Sequence, residues 1–338
     1  MILLRFLNCH LQKVFSPKNQ LKSSLFLHAG LHKKTFSGIC ESNDTVKDQL
    51  EHYIALFRTA YIPEPESSAE LITAHAMGKK MIHEVDFSTP VTKILRSRLK
   101  EMCSKRLERV PVQYILGEWD FHDLTLEMRP PVLIPRPETE ELASHVLSHW
   151  DRGYHTFLDI GCGTGAISIY LLKQLPLVKA VAIDISEQAC NLTQNNAVRH
   201  GVHHRLKVVH GDIMQEGTVA ELCKNGPYNV IVSNPPYITT EEMKHLDTEV
   251  FKYEDHNALA GGVDGLHVIN QILKIAHQLL CPGHGSLWLE VGLTQTRAIQ
   301  SAIEDHPDLG LVYRNAFQDF TKRDRFAHLG VNGLRGHV

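Results

Sequence analysis

The sequence lacks several features that mark other classes of protein. No apolar run among its 338 residues approaches the roughly 20 positions that a membrane-spanning helix requires. The seven cysteines are an odd number without a Cys-x-x-Cys pair, which indicates a reducing compartment and argues against a zinc site. His200, His203 and His204 have no carboxylate or thiol at ligand spacing, so we interpret them as a solvated loop and predict no metal.

Acidic residues are missing from the first 40 positions, which hold six of the 35 Lys and Arg. A basic, serine-containing, acid-free N-terminus is typical of a transit peptide, and polar residues interrupt it too often for a secretory signal. We predict a mitochondrial presequence over residues 1–40 and a location in the matrix. A retained basic tail is the alternative. Residues 41–338 hold all 38 Asp and Glu, a net charge of −9, which disfavours stable nucleic-acid binding.

A rigid polar corner, Asn234-Pro235-Pro236-Tyr237, follows an apolar run at residues 228–233 that predicts a buried strand. The Asn234 side-chain oxygen and the Pro235 carbonyl are suited to accept the N–H groups of a planar amide or aromatic amine, while the Tyr237 ring covers its face. The prolines fix φ and remove two donors, which leaves carbonyls as the main polar groups. This predicts a methyltransferase acting on a weakly nucleophilic NH2 group. An ordinary proline-rich turn is the alternative.

Three other predicted strands each have an aspartate at or near their carboxyl end. The first contains Asp159 and is followed by a glycine-rich turn composed of Gly161, Cys162, Gly163, Thr164 and Gly165. Its spacing also fits a dinucleotide-binding turn, but a carboxylate there repels a pyrophosphate and attracts the ammonium group of S-adenosylmethionine. Asp184 is placed for the ribose hydroxyls and Asp212 for the adenine. We also assign Ile213 and Asn234 to the cofactor site. Each aspartate is alternatively a helix or turn cap.

Strands and helices alternate from about residue 156 onward. This alternation predicts an α/β, doubly wound, mostly parallel sheet with its ligand across the carboxyl ends of the strands. Residues 285–291 predict a fifth strand, and residues around 311–313 and 326–331 predict a final antiparallel pair. The result is a seven-stranded, Rossmann-like domain of the S-adenosylmethionine-dependent methyltransferase type, which we assign to residues 135–338.

A smaller domain precedes this sheet. Residues 45–110 place apolar side chains at helical spacing, which predicts an N-terminal helical domain. We assign substrate binding to this domain. Alternating stretches at residues 114–116 and 124–128 predict a β-hairpin linker within residues 111–134. Arg136, just before the next helix, is a candidate for the rim of the substrate pocket.

Several of these segments resemble the HemK family of release-factor glutamine N5-methyltransferases, and the likeness covers most of the chain from about residue 45. The segments that carry it are Val-Gln-Tyr-Ile-Leu-Gly-Glu at 112–118, Ile-Pro-Arg-Pro-Glu-Thr-Glu at 134–140, the glycine-rich turn, Asn-Pro-Pro-Tyr, and Ala-Leu-Ala-Gly-Gly-Val-Asp-Gly-Leu at 258–266. The family often carries Glu-Pro where this chain has Glu254-Asp255. It can also carry an aromatic residue beside the adenine where this chain has Ile213.

The resemblance implies an enzyme that uses S-adenosylmethionine to methylate the glutamine of a Gly-Gly-Gln loop in a peptide-chain release factor. With the presequence, it implies a mitochondrial release factor as the partner. It also implies that Asn234, Pro235, Pro236 and Tyr237 hold the glutamine. Two alternatives remain at this stage. One is an adenine-N6 or guanine-N2 nucleic-acid methyltransferase that uses the same corner on a flipped base. The other is a non-enzymatic protein that senses S-adenosylmethionine.

Overall fold

The computed structural model describes residues 44–332, so the predicted presequence lies outside the described residues. The helices are α1 Val46–Thr59, α2 Pro65–Ala76, α3 Lys93–Leu107, α4 Val112–Leu116, α5 Pro137–Ser148, α6 Ala166–Gln174, α7 Glu187–Arg199, α8 Glu216–Asn225, α9 Thr248–Tyr253, α10 His267–Leu279 and α11 Gln295–Asp305. The strands are β1 Glu118–Phe121, β2 Leu124–Glu127, β3 Thr156–Ile160, β4 Lys179–Asp184, β5 Leu206–His210, β6 Val230–Ser233, β7 Ile238–Thr239, β8 Ala260–Gly262, β9 Ser286–Glu290, β10 Leu311–Gln318 and β11 Asp324–Val331. No helix in this part of the chain is long and apolar enough to cross a membrane.

Seven strands form one mixed sheet in the order β10-β11-β9-β6-β3-β4-β5. The strands from β9 to β5 in this order are parallel, and β11 pairs antiparallel with both β9 and β10. The predicted seven-stranded, doubly wound fold with an antiparallel edge is therefore confirmed. Because β6 and β4 lie on opposite sides of β3, the winding reverses there. The carboxyl ends of β3 and β6 flank a topological switch point, where ligands bind in such sheets.

Apolar side chains cover both faces of the sheet. Every residue of β9 is buried. Trp288 belongs to an apolar cluster that includes residues of α5, α6 and α7, whereas Leu287 and Leu289 belong to a second cluster that includes residues of α8, α10 and α11. Burial on both faces explains why the central strands read as continuous apolar runs. It also fixes their register, so the polar residues at the strand ends are held at defined positions.

Helices α1, α2 and α3 form a helical module with its own apolar cluster, which includes Phe57, Ile72 and Leu99. The Thr45 side chain caps α1, and Pro65 occupies the first position of α2, where its missing N–H is not needed. The predicted helical character of this region is seen directly, while the domain boundaries that we assign remain predictions.

The linker differs from the prediction at its start. Residues 114–116, predicted as a strand, belong to the short helix α4, and the hairpin is formed by β1 and β2. Pro111 precedes α4 with its φ fixed near −53°, and Gly117, at φ 76°, ends the helix by donating its N–H to the Gln113 carbonyl. Three residues are too few for alternation to distinguish a strand from one helical turn.

Helix α9, which lies in the long connection after β6, is fastened to the helical module. Arg106 of α3 donates to Glu249 of α9 at 3.1 Å, and Arg109 lies 3.4 Å from the same carboxylate. The side chains of Arg106 and Glu249 are only 6% and 12% exposed, so losing one partner would leave a buried charge uncompensated. The Tyr253 hydroxyl adds a 2.8 Å hydrogen bond to the Glu108 carbonyl.

Candidate active site

The glycine-rich turn after β3 and the Asn-Pro-Pro-Tyr corner after β6 meet at the switch point. The hydroxyl of Ser233, the last residue of β6, donates to the carbonyl of Ile160 at the end of β3 over 2.6 Å. A Cβ on Gly161 would lie 3.8 Å from the Asn234 carbonyl oxygen. The parallel pairing of β3 with β6 thus brings together two motifs that are far apart in the sequence.

Backbone conformation explains the three glycines of the turn. Gly161, Gly163 and Gly165 have φ angles of 77°, 55° and 81°, a region that residues with a Cβ rarely adopt. At Gly165, a Cβ would also lie 3.0 Å from side-chain atoms of Ile169 and Thr193. The turn can therefore expose its backbone to a ligand in a way that other residues at these positions would prevent.

Cys162 and Thr164, between the glycines, are buried. The Thr193 hydroxyl donates to Cys162 Sγ at 3.3 Å, and the Thr164 carbonyl accepts from the Asn196 side chain at 3.0 Å. These contacts support the shape of the turn. The contribution of both residues to cofactor binding remains a prediction.

Asp159 is fully buried, one residue before the end of β3. The Ser168 hydroxyl on α6 donates to its Oδ2 at 2.6 Å, whereas its Oδ1 has no hydrogen-bond partner in the described part of the chain. Burial, assisted by the nearby charge of Asp184, raises the pKa of Asp159 to about 7. A buried carboxylate oxygen without a partner is costly unless a ligand supplies a donor or a positive charge. Asp159 therefore fits a cationic ligand such as S-adenosylmethionine.

Asp184, the last residue of β4, accepts two backbone hydrogen bonds at 2.9 Å, from Ser186 to Oδ1 and from Gly163 to Oδ2. The second bond ties the glycine-rich turn to β4. Burial is the main cause that raises the pKa of Asp184. A carboxylate has about four acceptor positions, so each oxygen retains capacity for a ligand hydroxyl.

Asp212 lies two residues after the end of β5, beside the buried Ile213. Its Oδ1 accepts the Met214 N–H at 2.9 Å, so it caps its own turn. The Ile213 carbonyl accepts from the Gln271 side chain at 2.8 Å. The structure brings both residues to the same edge of the sheet as Asp184, and their contact with an adenine remains a prediction.

A chain of hydrogen bonds holds the Asn234 side chain. Its Nδ2 donates to Thr139 Oγ1 at 3.0 Å, and the Thr139 hydroxyl donates to Glu290 Oε2 at 2.8 Å. Within residues 44–332, no group donates to Asn234 Oδ1 or to the carbonyls of Pro235 and Pro236. These are the acceptors that a substrate amide would need.

Charged neighbours fix Tyr237. Its hydroxyl accepts a hydrogen bond from Arg325 and donates to Glu290 Oε1 at 3.3 Å. The guanidinium carbon of Arg325 lies 4.6 Å from the centre of the Tyr237 ring, within cation–π range. Burial raises the pKa of Tyr237, so its hydroxyl stays protonated. The Tyr237 carbonyl accepts from Gln295 at 3.0 Å.

Arg136 precedes α5 and pairs with Glu254. One guanidinium nitrogen donates to both carboxylate oxygens at 2.8 Å; the Glu254 side chain is 2% exposed and that of Arg136 is 31% exposed. The backbone N–H of Asp255 donates to the Pro131 carbonyl at 2.8 Å, a bond that a proline at position 255 could not make. Arg136 is thus engaged in a structural pair, and its contact with substrate remains a prediction.

The sequence patterns do not single out Thr139, Glu290 or Arg325 as part of the site. Thr139 lies in a segment that reads as the entry to a helix. Glu290 ends β9, so the rule applied to Asp159 and Asp184, an acid at the end of a buried strand, would have found it. Arg325 lies near the start of β11, between the edge strand β10 and β9, and no sequence signal marks it.

Two open clefts lie apart from this site. One, of about 370 Å³, lies between α11 and the β10–β11 pair, and the other, of about 310 Å³, lies near the amino ends of β3, β4 and β5. Neither is lined by the glycine-rich turn or by the Asn-Pro-Pro-Tyr corner. Residues 44–332 contain no group of three or more His, Cys, Asp or Glu side chains arranged to hold a metal ion.

Comparisons with known proteins relate this geometry to chemistry. Residues 139–289 match the methyltransferase small domain family, and residues 48–117 match the PrmC N-terminal domain family. A relative in Homo sapiens, named MTRF1L release factor glutamine methyltransferase, is 40% identical over 84% of this chain and 87% of its own length. A release factor glutamine methyltransferase of Geobacter sulfurreducens is 37% identical over 71% of this chain and 78% of its own. The crystal structure of a release factor-specific protein-(glutamine-N5) methyltransferase from Alicyclobacillus acidocaldarius has 23% identity, covers 60% of this chain and 98% of that chain, and gives a TM-score of 0.38.

Proposed function

The chain belongs to the family of release factor glutamine methyltransferases, and we propose that its substrate is the glutamine of the Gly-Gly-Gln motif in a mitochondrial peptide-chain release factor. The enzyme transfers a methyl group from S-adenosylmethionine to the N5 atom of a protein glutamine. The name of the human relative includes a release factor, which supports a release factor as the protein partner.

The carboxylates after β3 and β4 support binding of the cofactor. Asp159 offers an unpartnered oxygen to its positive charge, and Asp184 keeps acceptor positions for two ribose hydroxyls. The glycine-rich turn lets the backbone come close to the ligand, and we assign Asp212 and Ile213 to the adenine end. When bound, S-adenosylmethionine supplies an electrophilic methyl group on a cationic sulfur.

The observation that carries the proposal is the orientation of the Asn234 amide. Because Nδ2 donates to Thr139, Oδ1 is the atom that accepts one N–H of the substrate glutamine, and the Pro235 carbonyl accepts the other. Two acceptors set the plane of the substrate amide, and the Tyr237 ring packs on that plane. An amide nitrogen is a poor nucleophile, so positioning supplies most of the acceleration.

A competition between substrates tests this function. Purified enzyme and labelled S-adenosylmethionine are offered a mitochondrial release factor together with mitochondrial RNA. We expect the label on the Gly-Gly-Gln glutamine, located by mass spectrometry, and its loss when that glutamine is replaced by alanine. Label on an RNA base with the release factor unmodified would favour adenine-N6 or guanine-N2 methylation, and cofactor binding without transfer would favour a sensing protein. The net charge of −9 in residues 41–338 argues against the RNA alternative.

We also propose a location in the mitochondrial matrix, directed by residues 1–40. The support is their six Lys and Arg without an acidic residue. A fusion of residues 1–45 to a fluorescent reporter should enter mitochondria and be shortened there. Diffuse cytosolic fluorescence would contradict the location without affecting the proposed reaction.

A further inference from the structure

The hydrogen-bond chain behind Asn234 joins three elements of the fold. Asn234 follows β6, Thr139 lies in the first turn of α5, and Glu290 ends β9. Thr139 is 4% exposed and Glu290 is fully buried, so water does not compete for their hydrogen bonds. Thr139 and Glu290 therefore determine the orientation of the Asn234 side-chain amide.

The direction of each hydrogen bond follows from the chemistry of the partners. An ionised carboxylate only accepts, so the single hydrogen of the Thr139 hydroxyl is committed to Glu290 Oε2. Thr139 Oγ1 can then only accept from Asn234, which requires Nδ2 and not Oδ1 at that contact. Turning the Asn234 amide by half a revolution would place two acceptor oxygens against each other. It would also present N–H groups to a substrate that itself brings N–H groups.

We propose that Thr139 is a positioning residue, whose hydroxyl, oriented by Glu290, fixes the Asn234 amide with Oδ1 toward the substrate. This inference rests on the proposed function. It explains why the enzyme selects a substrate that carries an NH2 group. A glutamate side chain, which brings only acceptors at neutral pH, would meet the Asn234 and Pro235 oxygens without a hydrogen to share.

Charged groups from several elements surround Glu290. Arg325 of β11 lies 3.6 Å from Oε1, the Tyr237 hydroxyl donates to the same oxygen, and Glu138 of α5 adds a nearby negative charge. Burial raises the pKa of Glu290, while Arg325 opposes that rise. A protonated Glu290 could donate to Thr139 and reverse the chain. Turnover should therefore fall as acid protonates Glu290, and this fall should require the Thr139 hydroxyl.

The experiment compares Thr139→Val, which replaces the hydroxyl with a methyl group, with Thr139→Ser, which restores it. We expect Thr139→Val to lower kcat on the release factor about 10- to 100-fold, a loss typical of a misplaced reacting group. The increase in KM should be smaller, and affinity for S-adenosylmethionine should be unchanged. Thr139→Ser should return kcat to within about threefold of the wild type, since it supplies the same donor and acceptor. The acid limb of the kcat profile should persist in Thr139→Ser and disappear in Thr139→Val.

Thr73→Val, which changes a buried threonine of α2, controls for the effect of removing an internal hydroxyl. Should Thr139→Val not fold, Thr139→Ala removes the same hydroxyl and is judged by the same criteria. Unchanged kcat in a folded Thr139→Val or Thr139→Ala enzyme, or no rescue by serine, overturns the positioning role. A wild-type enzyme that leaves the release factor glutamine unmethylated overturns the proposed function itself, and the inference with it.

Discussion

Two groups of buried carboxylates lie at the same edge of the sheet, and they differ in what neutralises them. On the cofactor side, the hydrogen-bond partners of Asp159 and Asp184 are hydroxyl and backbone N–H groups, with no Lys or Arg among them in the described residues. On the substrate side, Glu290 has Arg325 beside it and Glu254 has Arg136. Burial raises the pKa of the carboxyl group in Asp159, Asp184 and Glu290 alike.

This difference matches the charges of the two ligands. A buried carboxylate without a cation is unfavourable in the empty protein, and a cationic ligand relieves that cost when it binds. A glutamine amide is neutral, so a net charge beside it would bring no comparable gain. On the substrate side Glu290 and Glu254 are paired with Arg325 and Arg136, and the corner presents uncharged acceptors to the substrate. Under the proposed assignment, the cofactor half recognises its ligand by charge and the substrate half by orientation.

Removing a cation from the substrate side should have the largest effect. Arg325→Met leaves the fully buried Glu290 without its charged partner, and we expect unfolding free energy to fall by about 3–5 kcal/mol. Urea denaturation measures this loss. Arg199→Met, which breaks the exposed pair with Glu118, is the matched control and should cost at most about 1 kcal/mol. Equal losses in the two variants would show that Glu290 does not depend on Arg325.

Changing the orienting group should abolish most turnover while leaving the cofactor side intact. Asn234→Ala should lower kcat about 10²-fold or more, since a misplaced reacting group costs that much. The fold and much of the S-adenosylmethionine affinity should be preserved. Asn234→Asp should also fail, because it adds a charge and has no Nδ2 hydrogen for Thr139. Single-turnover kinetics with calorimetry separates the two effects, and a parallel loss of cofactor affinity would contradict the division into two halves.

The affinity for S-adenosylmethionine should depend on pH through the ionisation of Asp159. The folded, empty protein holds a proton on Asp159 up to a pKa of about 7, well above the ordinary value, so this group favours folding at low pH and loses that contribution as pH rises through 7. A cationic ligand needs the ionised form. Affinity for S-adenosylmethionine should therefore rise up to about tenfold per pH unit below 7 and level off above it. Calorimetry across this range should give a flatter profile for Asp159→Asn, and an equally steep one would remove Asp159 from cofactor recognition.

The smallest effects should distinguish the remaining two aspartates. Asp184→Ala removes acceptors for the ribose and should weaken cofactor binding by roughly 1–3 kcal/mol. Asp212→Ala should weaken it by about 1 kcal/mol or less, since one Asp212 oxygen is already engaged by its own turn and a single hydrogen bond contributes about that much net. Isothermal titration calorimetry of both variants measures which substitution causes the larger loss of cofactor affinity. A larger loss for Asp212 would mean that the adenine end contributes more than the ribose.

Much of this arrangement is predictable because strand ends of a parallel sheet share one edge. The apolar runs before Asp184 and Asn234 place both residues at the carboxyl ends of predicted parallel strands, so both are expected at one edge of the sheet. The hairpin start was predicted wrongly at residues 114–116, where a proline before and a glycine after close a helical turn. The Thr139–Glu290 contact was not predictable, because it depends on how α5 packs against β9, which no local pattern encodes.

The buried ion pair between Arg106 and Glu249 couples substitutions in the helical module to substitutions in α9. Exchanging either residue alone for an apolar one leaves the other charge buried, whereas exchanging both removes the problem. Positions 106 and 249 are therefore expected to change together among homologous sequences.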